Sequence, residues 1–268
     1  MSFLSSKKNW EGFAQNDPLW SICTNPLKKG GKWDLDEFFE MGKTEVDSMI
    51  GLLQEKNYLT AAQLKCLDFG CGVGRLSRAL SNYFNEVVGL DVSATMIQKA
   101  KEFNKDFAQK LSFIHNESID LLPFDDSSFD FVFSSIVLQH IPKPASINYI
   151  NEFTRICKPD GLIVFQLPVE DIRKLSLLQQ LQSKIKIRER LALLGLGSGF
   201  QMEMHTIPEK EVIRVIESAN CQLLEILNTN HTDPSFDGEI IFNHETNLCF
   251  GYISELFIIR KKDASTQF

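Results

Sequence analysis

Three closely spaced glycines follow a short apolar run in residues 67–76, whose sequence is LDFGCGVGRL. Between a strand and a helix, glycines permit a sharp turn and let the backbone approach a ligand closely. The helix that follows offers unpaired N–H groups and the positive end of its dipole. The segment therefore predicts a ligand-binding loop, and its alternative interpretation is a tight turn that binds nothing.

Two carboxylates stand near these glycines in the sequence. Asp91 ends the next predicted strand, 21 residues after Gly70, where a carboxylate can accept hydrogen bonds from both hydroxyls of a ribose. Asp68 lies just before the loop, where it fits poorly beside a pyrophosphate and well beside a cationic ligand. Arg75 stands where a dinucleotide-binding loop has its last glycine, and this departure argues against NAD(P).

S-adenosylmethionine (SAM) suits such a loop, because it carries an ammonium, a sulfonium and a ribose but no phosphate. LDFGCGVGRL and the later VVGLDVSATMIQKA resemble the first motif and the following strand of class I SAM-dependent methyltransferases. FDFVFSSIVLQHIP and RICKPDGLIVFQLP resemble the fourth and fifth strand regions of that family, so the resemblance covers about residues 64–168. It implies a SAM-dependent methyltransferase whose product is S-adenosylhomocysteine (SAH).

The same resemblance implies contacts with the cofactor. Gly70, Gly72 and Gly74 would line the methionine and ribose part of SAM. Asp68 would orient the loop and reach the amino group, while Asp91 would bind the ribose hydroxyls.

The resemblance also implies a set of adenine contacts. Val92 and Met96 would pack against the adenine ring, although ordinary helix core explains Met96 equally well. The sequence does not fix which residue of the acidic stretch after the third strand contacts the adenine amino group. Glu117, Ser118 and Ile119 are favoured there, with a solvated loop as the alternative for each of them.

The residues after the fourth predicted strand would border the methyl-transfer site. Ser134 and Gln139 are predicted there as cofactor-binding residues, because open α/β sheets bind ligands at the carboxyl ends of their strands. His140 is the candidate general base, since an imidazole can take up a proton near neutral pH. A structural histidine that bonds to backbone near Pro142 is the alternative.

An N-terminal stretch, DPLWSICTNPLKKGGKWDLDEFFEMGK, resembles a leader found in some bacterial members of the superfamily. By this resemblance Trp33, Phe38 and Gly42 approach the cofactor. Packing of the N-terminal helix is the default interpretation of the aromatic residues.

Hydrophobic periodicity predicts the elements that position these residues. From Lys65 onward, strands are predicted at 66–69, 86–91, 111–115, 129–135 and 162–167, and the helices between them at 75–84, from Ser93, and at 144–157. This alternation indicates an α/β fold with a mostly parallel sheet covered on both faces. The resemblance specifies a Rossmann-like sheet of seven strands whose last strand is antiparallel.

Residues 1–60 are predicted to form an N-terminal helical cap, and residues 61–268 the methyltransferase domain. A helical insertion at 171–206 would act as a lid over the acceptor, with a dimer contact or a simple packing helix as alternatives.

The C-terminal part is expected to begin with a helix that Thr206 caps and that reaches Ala219. Two strands, at 221–227 and 248–259, would then form an antiparallel pair that closes the sheet.

Composition restricts the function classes. The chain has 268 residues and a net charge of −7, which disfavours a nucleic-acid substrate. No apolar stretch is long enough to span a bilayer, so no membrane partner is expected. The six cysteines form no CxxC pair and indicate reduced thiols in the cytoplasm. His205, His231 and His244 lack the spacing of metal ligands, so no metal is expected.

The sequence thus predicts methyl transfer to an oxygen or nitrogen atom of a small-molecule acceptor, by a monomer or a homodimer. Two alternatives remain open: a protein or RNA methyltransferase, and a SAM-binding protein without catalysis.

Overall fold

A single mixed sheet runs through the computed structural model, which describes residues 3–59, 65–173, 202–233, 236–243 and 251–263. Within these residues the sheet has eight strands, in the order β3-β2-β1-β4-β5-β8-β6-β7. The strands are β1 Lys65–Phe69, β2 Glu86–Asp91, β3 Leu111–His115, β4 Phe129–Ser134, β5 Cys157–Asp171, β6 Cys221–Thr229, β7 Phe242–Asn243 and β8 Tyr252–Lys261.

Helices cover both faces of this sheet. Those in the described residues are α1 Phe3–Asn16, α2 Pro18–Ile22, α3 Leu35–Glu55, α4 Arg75–Leu80, α5 Ala94–Phe103, α6 Lys143–Ile156 and α7 Glu209–Ser218. Single 3-10 turns lie at Pro26–Lys28, Lys105–Phe107 and Leu138–His140. Helices α4, α5 and α6 each connect two neighbouring parallel strands, as βαβ units require.

The pairing of the strands confirms the predicted α/β fold. β1 pairs in parallel with both β2 and β4, and β8 is antiparallel to both β5 and β6. The two-residue strand β7 is an addition to the seven predicted strands. The chain order reverses between β1 and β4, and ligands bind at such a reversal in open α/β sheets.

Local capping explains where two site-bearing helices begin. The Asp34 side chain accepts a hydrogen bond from the N–H of Glu37 at the start of α3. Ser93 accepts one from the N–H of Met96 and so caps α5, which confirms the prediction that this helix begins at Ser93.

Phenylalanines form much of the core on both faces of the sheet. Those with almost no exposed surface are Phe38, Phe84, Phe129, Phe131, Phe133, Phe153, Phe165 and Phe257. Phe84 stacks on Phe131 on one face, whereas Phe153 contacts Phe165 on the other. These phenylalanines therefore serve packing, which fixes the strand ends that carry the site.

Three predicted boundaries are wrong. Helix α4 ends at Leu80 rather than Phe84, because the chain turns at residues 81–83. Asp171 belongs to β5 and not to a helix, because Tyr252 of β8 offers it a pairing partner. Thr206 caps no helix, because the N–H of the next residue, Ile207, bonds to Pro168 of β5 and α7 begins only at Glu209.

Residues 202–206 have no regular structure, and residues 174–201 of the predicted insertion lie outside the described residues. The division into a cap at 1–60 and a domain at 61–268 stays a prediction. No helix in the described ranges combines the length and the apolar character that crossing a membrane requires.

Candidate active site

The glycine loop lies at the carboxyl end of β1, at the reversal of strand order. Gly70, Gly72 and Gly74 have positive φ angles of 78°, 53° and 82°. A Cβ at Gly70 would collide with Val137, and one at Gly74 would lie 2.7 Å from the side-chain nitrogen of Asn104. Both the backbone conformation and the neighbours therefore exclude side chains here.

Asp91 at the end of β2 holds this loop in place. Its Oδ2 accepts a hydrogen bond from the N–H of Gly72 at 2.9 Å, and its Oδ1 accepts one from the N–H of Ser93 at 2.8 Å. Burial raises the pKa of Asp91, although these two N–H groups act in the opposite direction. Each carboxylate oxygen has a second lone pair, so Asp91 can still accept hydrogen bonds from hydroxyl groups.

Asp68 is buried within β1, close behind the loop, with 1% of its surface exposed. Ser77 Oγ donates a hydrogen bond to Asp68 Oδ2 at 2.5 Å. Burial raises the pKa of Asp68 to about 7, although the Ser77 bond and the charge of Arg75 oppose this rise. Asp68 therefore holds a proton over part of the neutral pH range.

A cavity lies directly beside the loop. Apolar and aromatic side chains from the N-terminal segment, from α6 and from loops line it: Phe3, Trp10, Ile22, Tyr149, Met202, Met204 and Phe236. Polar side chains also line it: Arg75, Asn116, Ser135, Gln139, His140 and His231. An apolar wall with a few placed polar groups is typical of small-molecule sites.

Half of the predicted site residues border this cavity: Trp33, Gly70, Gly72, Asp91, Val92, Met96, Gln139 and His140. The other half lie outside its wall: Phe38, Gly42, Asp68, Gly74, Glu117, Ser118, Ile119 and Ser134. Asn116 and Ser135, which are direct neighbours of predicted residues, border the cavity instead. The proposed roles of all sixteen predicted residues stay predictions.

Several residues outside the wall support residues that form it. The ring of Phe38 packs edge-on against Trp33, with 5.6 Å between ring centroids. Gly42 lies against the side chain of Arg75, with no room between them for a Cβ. These residues hold the cavity wall from behind.

His140 is buried at the cavity wall, and both of its ring nitrogens have partners. Nδ1 lies 2.6 Å from the backbone oxygen of Glu203, and Nε2 lies 3.2 Å from the side-chain nitrogen of Gln139. Burial lowers the pKa of His140 to about 4, so the ring is neutral at physiological pH. A neutral ring that donates from Nδ1 keeps its lone pair on Nε2.

A buried ion pair beside the loop is not evident from the sequence. Arg75 Nη2 lies 2.7 Å from Glu45 Oε2, and the two side chains are 3% and 0% exposed. Ser135 Oγ donates to Glu45 Oε1 at 2.7 Å, and His231 Nε2 lies 3.7 Å from the same oxygen. Burial alone would raise the pKa of Glu45, but Arg75, His231 and Ser135 together lower it to about 2.

One sequence signal could have pointed to this pair. Glu45 stands in the apolar stripe of α3 between Met41 and Met49, and all three are buried. A carboxylate on the buried face of a helix requires a partner. The sequence does not identify the partner, because Arg75 lies 30 residues away on another helix.

Helix α1 is attached to the cavity wall through His140. Ser6 Oγ donates to the backbone oxygen of His140 at 2.8 Å. The Trp10 ring packs edge-on against the His140 ring, with 5.1 Å between centroids. The N-terminal helix therefore forms part of the enclosure.

A second group of bonds ties α1 to the cofactor side of the site. Glu11 accepts hydrogen bonds from the hydroxyls of Ser93, at 2.7 Å, and of Thr95, at the start of α5. Lys7 Nζ lies 2.6 Å from the Glu117 carboxylate. These contacts place α1 beside Asp91, because Ser93 is two residues after it.

Comparison with known proteins agrees with this site. Residues 67–165 match the family described as "Methyltransferase domain". A demethylmenaquinone methyltransferase from Staphylococcus aureus (strain MRSA252) is 33% identical over 104 residues, which are 38% of this chain and 42% of that protein. The chain thus spans less than half the length of this curated relative.

Two solved structures are similar over nearly the whole chain. Magnesium protoporphyrin IX methyltransferase from Synechocystis PCC 6803, crystallised with SAH, covers 96% of this chain and 100% of its own, with a TM-score of 0.58 and 17% identity. The [4+2]-cyclase SpnF covers 96% of each chain, with a TM-score of 0.59 and 14% identity. Together with the strand order and the glycine loop, the matching family shows that residues 67–165 form a SAM-dependent methyltransferase domain of class I.

Proposed function

We propose that the protein transfers a methyl group from SAM to an oxygen or nitrogen atom of a small, largely apolar molecule. The observation that carries this proposal is that the glycine loop and Asp91 border a cavity whose wall also contains many apolar and aromatic side chains. Such a cavity offers room for an acceptor beside the cofactor. SAM supplies a methyl group already activated by its sulfonium, so positioning the acceptor can supply most of the acceleration.

The residues present fit SAM. Asp91 keeps lone pairs for the ribose hydroxyls, and Gly70 and Gly72 let a ligand approach the backbone. Val92 and Met96 border the cavity where the adenine would pack. Arg75 supplies N–H donors without a partner among the described residues, as a ligand with an acidic group requires.

The apolar side chains of the cavity would hold the acceptor and exclude water. Trp10 and Phe3 come from α1, while Met202 and Met204 come from the segment before α7. Methionines fill irregular apolar space and adapt to a ligand. An acceptor hydroxyl could give its proton to His140 Nε2, whose present bond with Gln139 would then be lost.

A small acceptor agrees with the cover that α1 provides and with the net charge of −7, which opposes binding of a nucleic acid. The name of the Staphylococcus aureus relative also indicates a small apolar acceptor, a demethylmenaquinone. We expect the protein to act in the cytoplasm as a monomer or homodimer, which analytical ultracentrifugation with and without SAH would test.

A second candidate function is SAM binding that supports a different reaction. The similarity to a protein named as a [4+2]-cyclase favours it, because that protein has the same fold and its name states a different activity.

The test separates the two functions. The protein is incubated with SAM and a panel of hydroxy- and amino-substituted aromatic compounds, including a short-chain demethylmenaquinone. SAH formation that depends on one acceptor, with a methylated product by mass spectrometry, supports methyl transfer. Tight SAH binding without any acceptor-dependent SAH formation favours the second candidate, and absence of SAH binding contradicts both.

A further inference from the structure

Arg75 is a buried cation whose hydrogen-bond donors are only partly satisfied among the described residues. Its side chain is 3% exposed and borders the cavity. Only Nη2 has a partner, Glu45, whereas Nε and Nη1 have none among the described residues. Burying N–H donors of a cation without acceptors is costly, so such groups are normally satisfied by a partner.

The neighbours of Arg75 hold it in one position. Its aliphatic part lies against Gly42, and its guanidinium lies over the ring of Phe38, 5.8 Å from the centroid. Glu45 is itself fixed by Ser135, which in turn lies 3.4 Å from His231. A guanidinium fixed in this way is preorganised to bind a planar, two-oxygen group.

We propose that Arg75 forms a carboxylate-binding subsite in the wall of the cavity, with its unpartnered Nε and Nη1 groups as the donors. A carboxylate fits these donors better than a phosphate, because a phosphate would bring more negative charge close to Glu45 and Asp68. The subsite would therefore take a ligand with a single negative charge in this region.

Two ligands could bring that carboxylate, and the first depends on the proposed function. The amino-acid end of SAM or SAH carries such a carboxylate, and Gly70 and Gly72 of the loop before Arg75 border the same cavity. The second source is a carboxylate on the acceptor itself. Both ligands would place a carboxylate on Arg75, and the experiment below separates the two sources.

The first arm compares SAH with its decarboxylated analogue, in which hydrogen replaces the carboxylate, by calorimetry. For a cofactor carboxylate on Arg75, the wild type should bind SAH about 10- to 100-fold more tightly than the analogue, as for a hydrogen bond to a charged group. The double variant Arg75→Met/Glu45→Gln should lose this preference, because it lacks the guanidinium. Glu45 is changed with Arg75 so that no unpaired carboxylate stays buried. The single variant Glu45→Gln is the matched control, since it retains Arg75 and should keep the preference.

The second arm titrates benzoate into the protein, with and without saturating SAH. Two results together assign the subsite to the acceptor. Benzoate binds to the SAH-saturated wild type but not to the double variant, and the preference for SAH over its analogue does not depend on Arg75. If neither the preference for SAH nor benzoate binding depends on Arg75, the proposal is overturned. Failure of SAH and its analogue to bind the wild type would refute the proposed function. Benzoate binding to the protein without SAH, compared between the wild type and the double variant, would still decide whether the subsite exists. Circular dichroism confirms that each variant folds.

Discussion

At the scale of single residues, Asp68 combines deep burial with a carboxyl group that accepts a hydrogen bond from the Ser77 hydroxyl. Its pKa of about 7 in the folded chain lies above the value near 3.8 of an exposed aspartate. A raised folded-state pKa gives stability that is present below about pH 4 and is lost as the pH rises through 7. Asp68 therefore destabilises the ligand-free protein above neutral pH.

We predict that Asp68→Asn stabilises the ligand-free protein at pH 8, by up to about 4 kcal/mol, and has little effect at pH 4. The asparagine can still accept the Ser77 hydrogen bond but carries no charge to bury. Urea unfolding of both proteins between pH 4 and 8 measures the difference. A stability difference that does not change with pH would show that Asp68 keeps an ordinary pKa.

Asp91 acts at the same scale with two functions, since it fixes the backbone of Gly72 and faces the cavity. We predict that Asp91→Ala weakens SAH binding by roughly 1–3 kcal/mol, the range for leaving polar groups unpaired. The 2′,3′-dideoxy analogue of SAH lacks the ribose hydroxyls, and its affinity should fall much less. Calorimetry with both ligands measures this, and equal losses for the two would refute a ribose contact.

At the scale of elements, helix α1 connects the start of α5 with the segment around His140 through a few hydrogen bonds and one ring contact. Glu11 accepts hydrogen bonds from Ser93 and Thr95, and these bonds lower its pKa despite the opposing effect of burial. The same helix reaches His140 through Ser6 and Trp10. Loss of the Glu11 bonds should therefore loosen α1 over the cofactor side.

We predict that Glu11→Ala accelerates SAH dissociation several-fold, because two hydroxyl partners lose their acceptor and the cover opens more often. Stopped-flow displacement of bound SAH measures the rate. Glu40→Ala is the matched control, since Glu40 is an exposed carboxylate on α3 whose distance to Lys43 is 3.8 Å. Unchanged dissociation from the Glu11 variant would mean that α1 only packs against the domain.

The elements also show how far sequence reasoning extends. Strand β2 and the capped start of α5 are predicted correctly, because Asp91 and Ser93 signal their boundaries within a few residues. The contacts of Glu11 and the Arg75–Glu45 pair depend on helices packed from distant parts of the chain, so local patterns do not reveal them. Thr206 fails as a cap for the same reason, because its segment bonds to β5.

At the scale of the whole molecule, cofactor binding should appear as added stability, because the loop, β2 and α1 meet around one cavity only in the folded chain. A ligand that binds only the folded state at 100 times its Kd adds about 2.7 kcal/mol. For a chain of this size, that energy raises Tm by roughly 5–8 °C.

We predict this shift for SAH and none for NADH, because Arg75 replaces the glycine that a dinucleotide loop requires. Differential scanning fluorimetry over a concentration series measures both ligands, with Asp91→Ala as the weak-binding comparison. A shift with NADH and none with SAH would mean that the loop, despite its spacing, binds a dinucleotide.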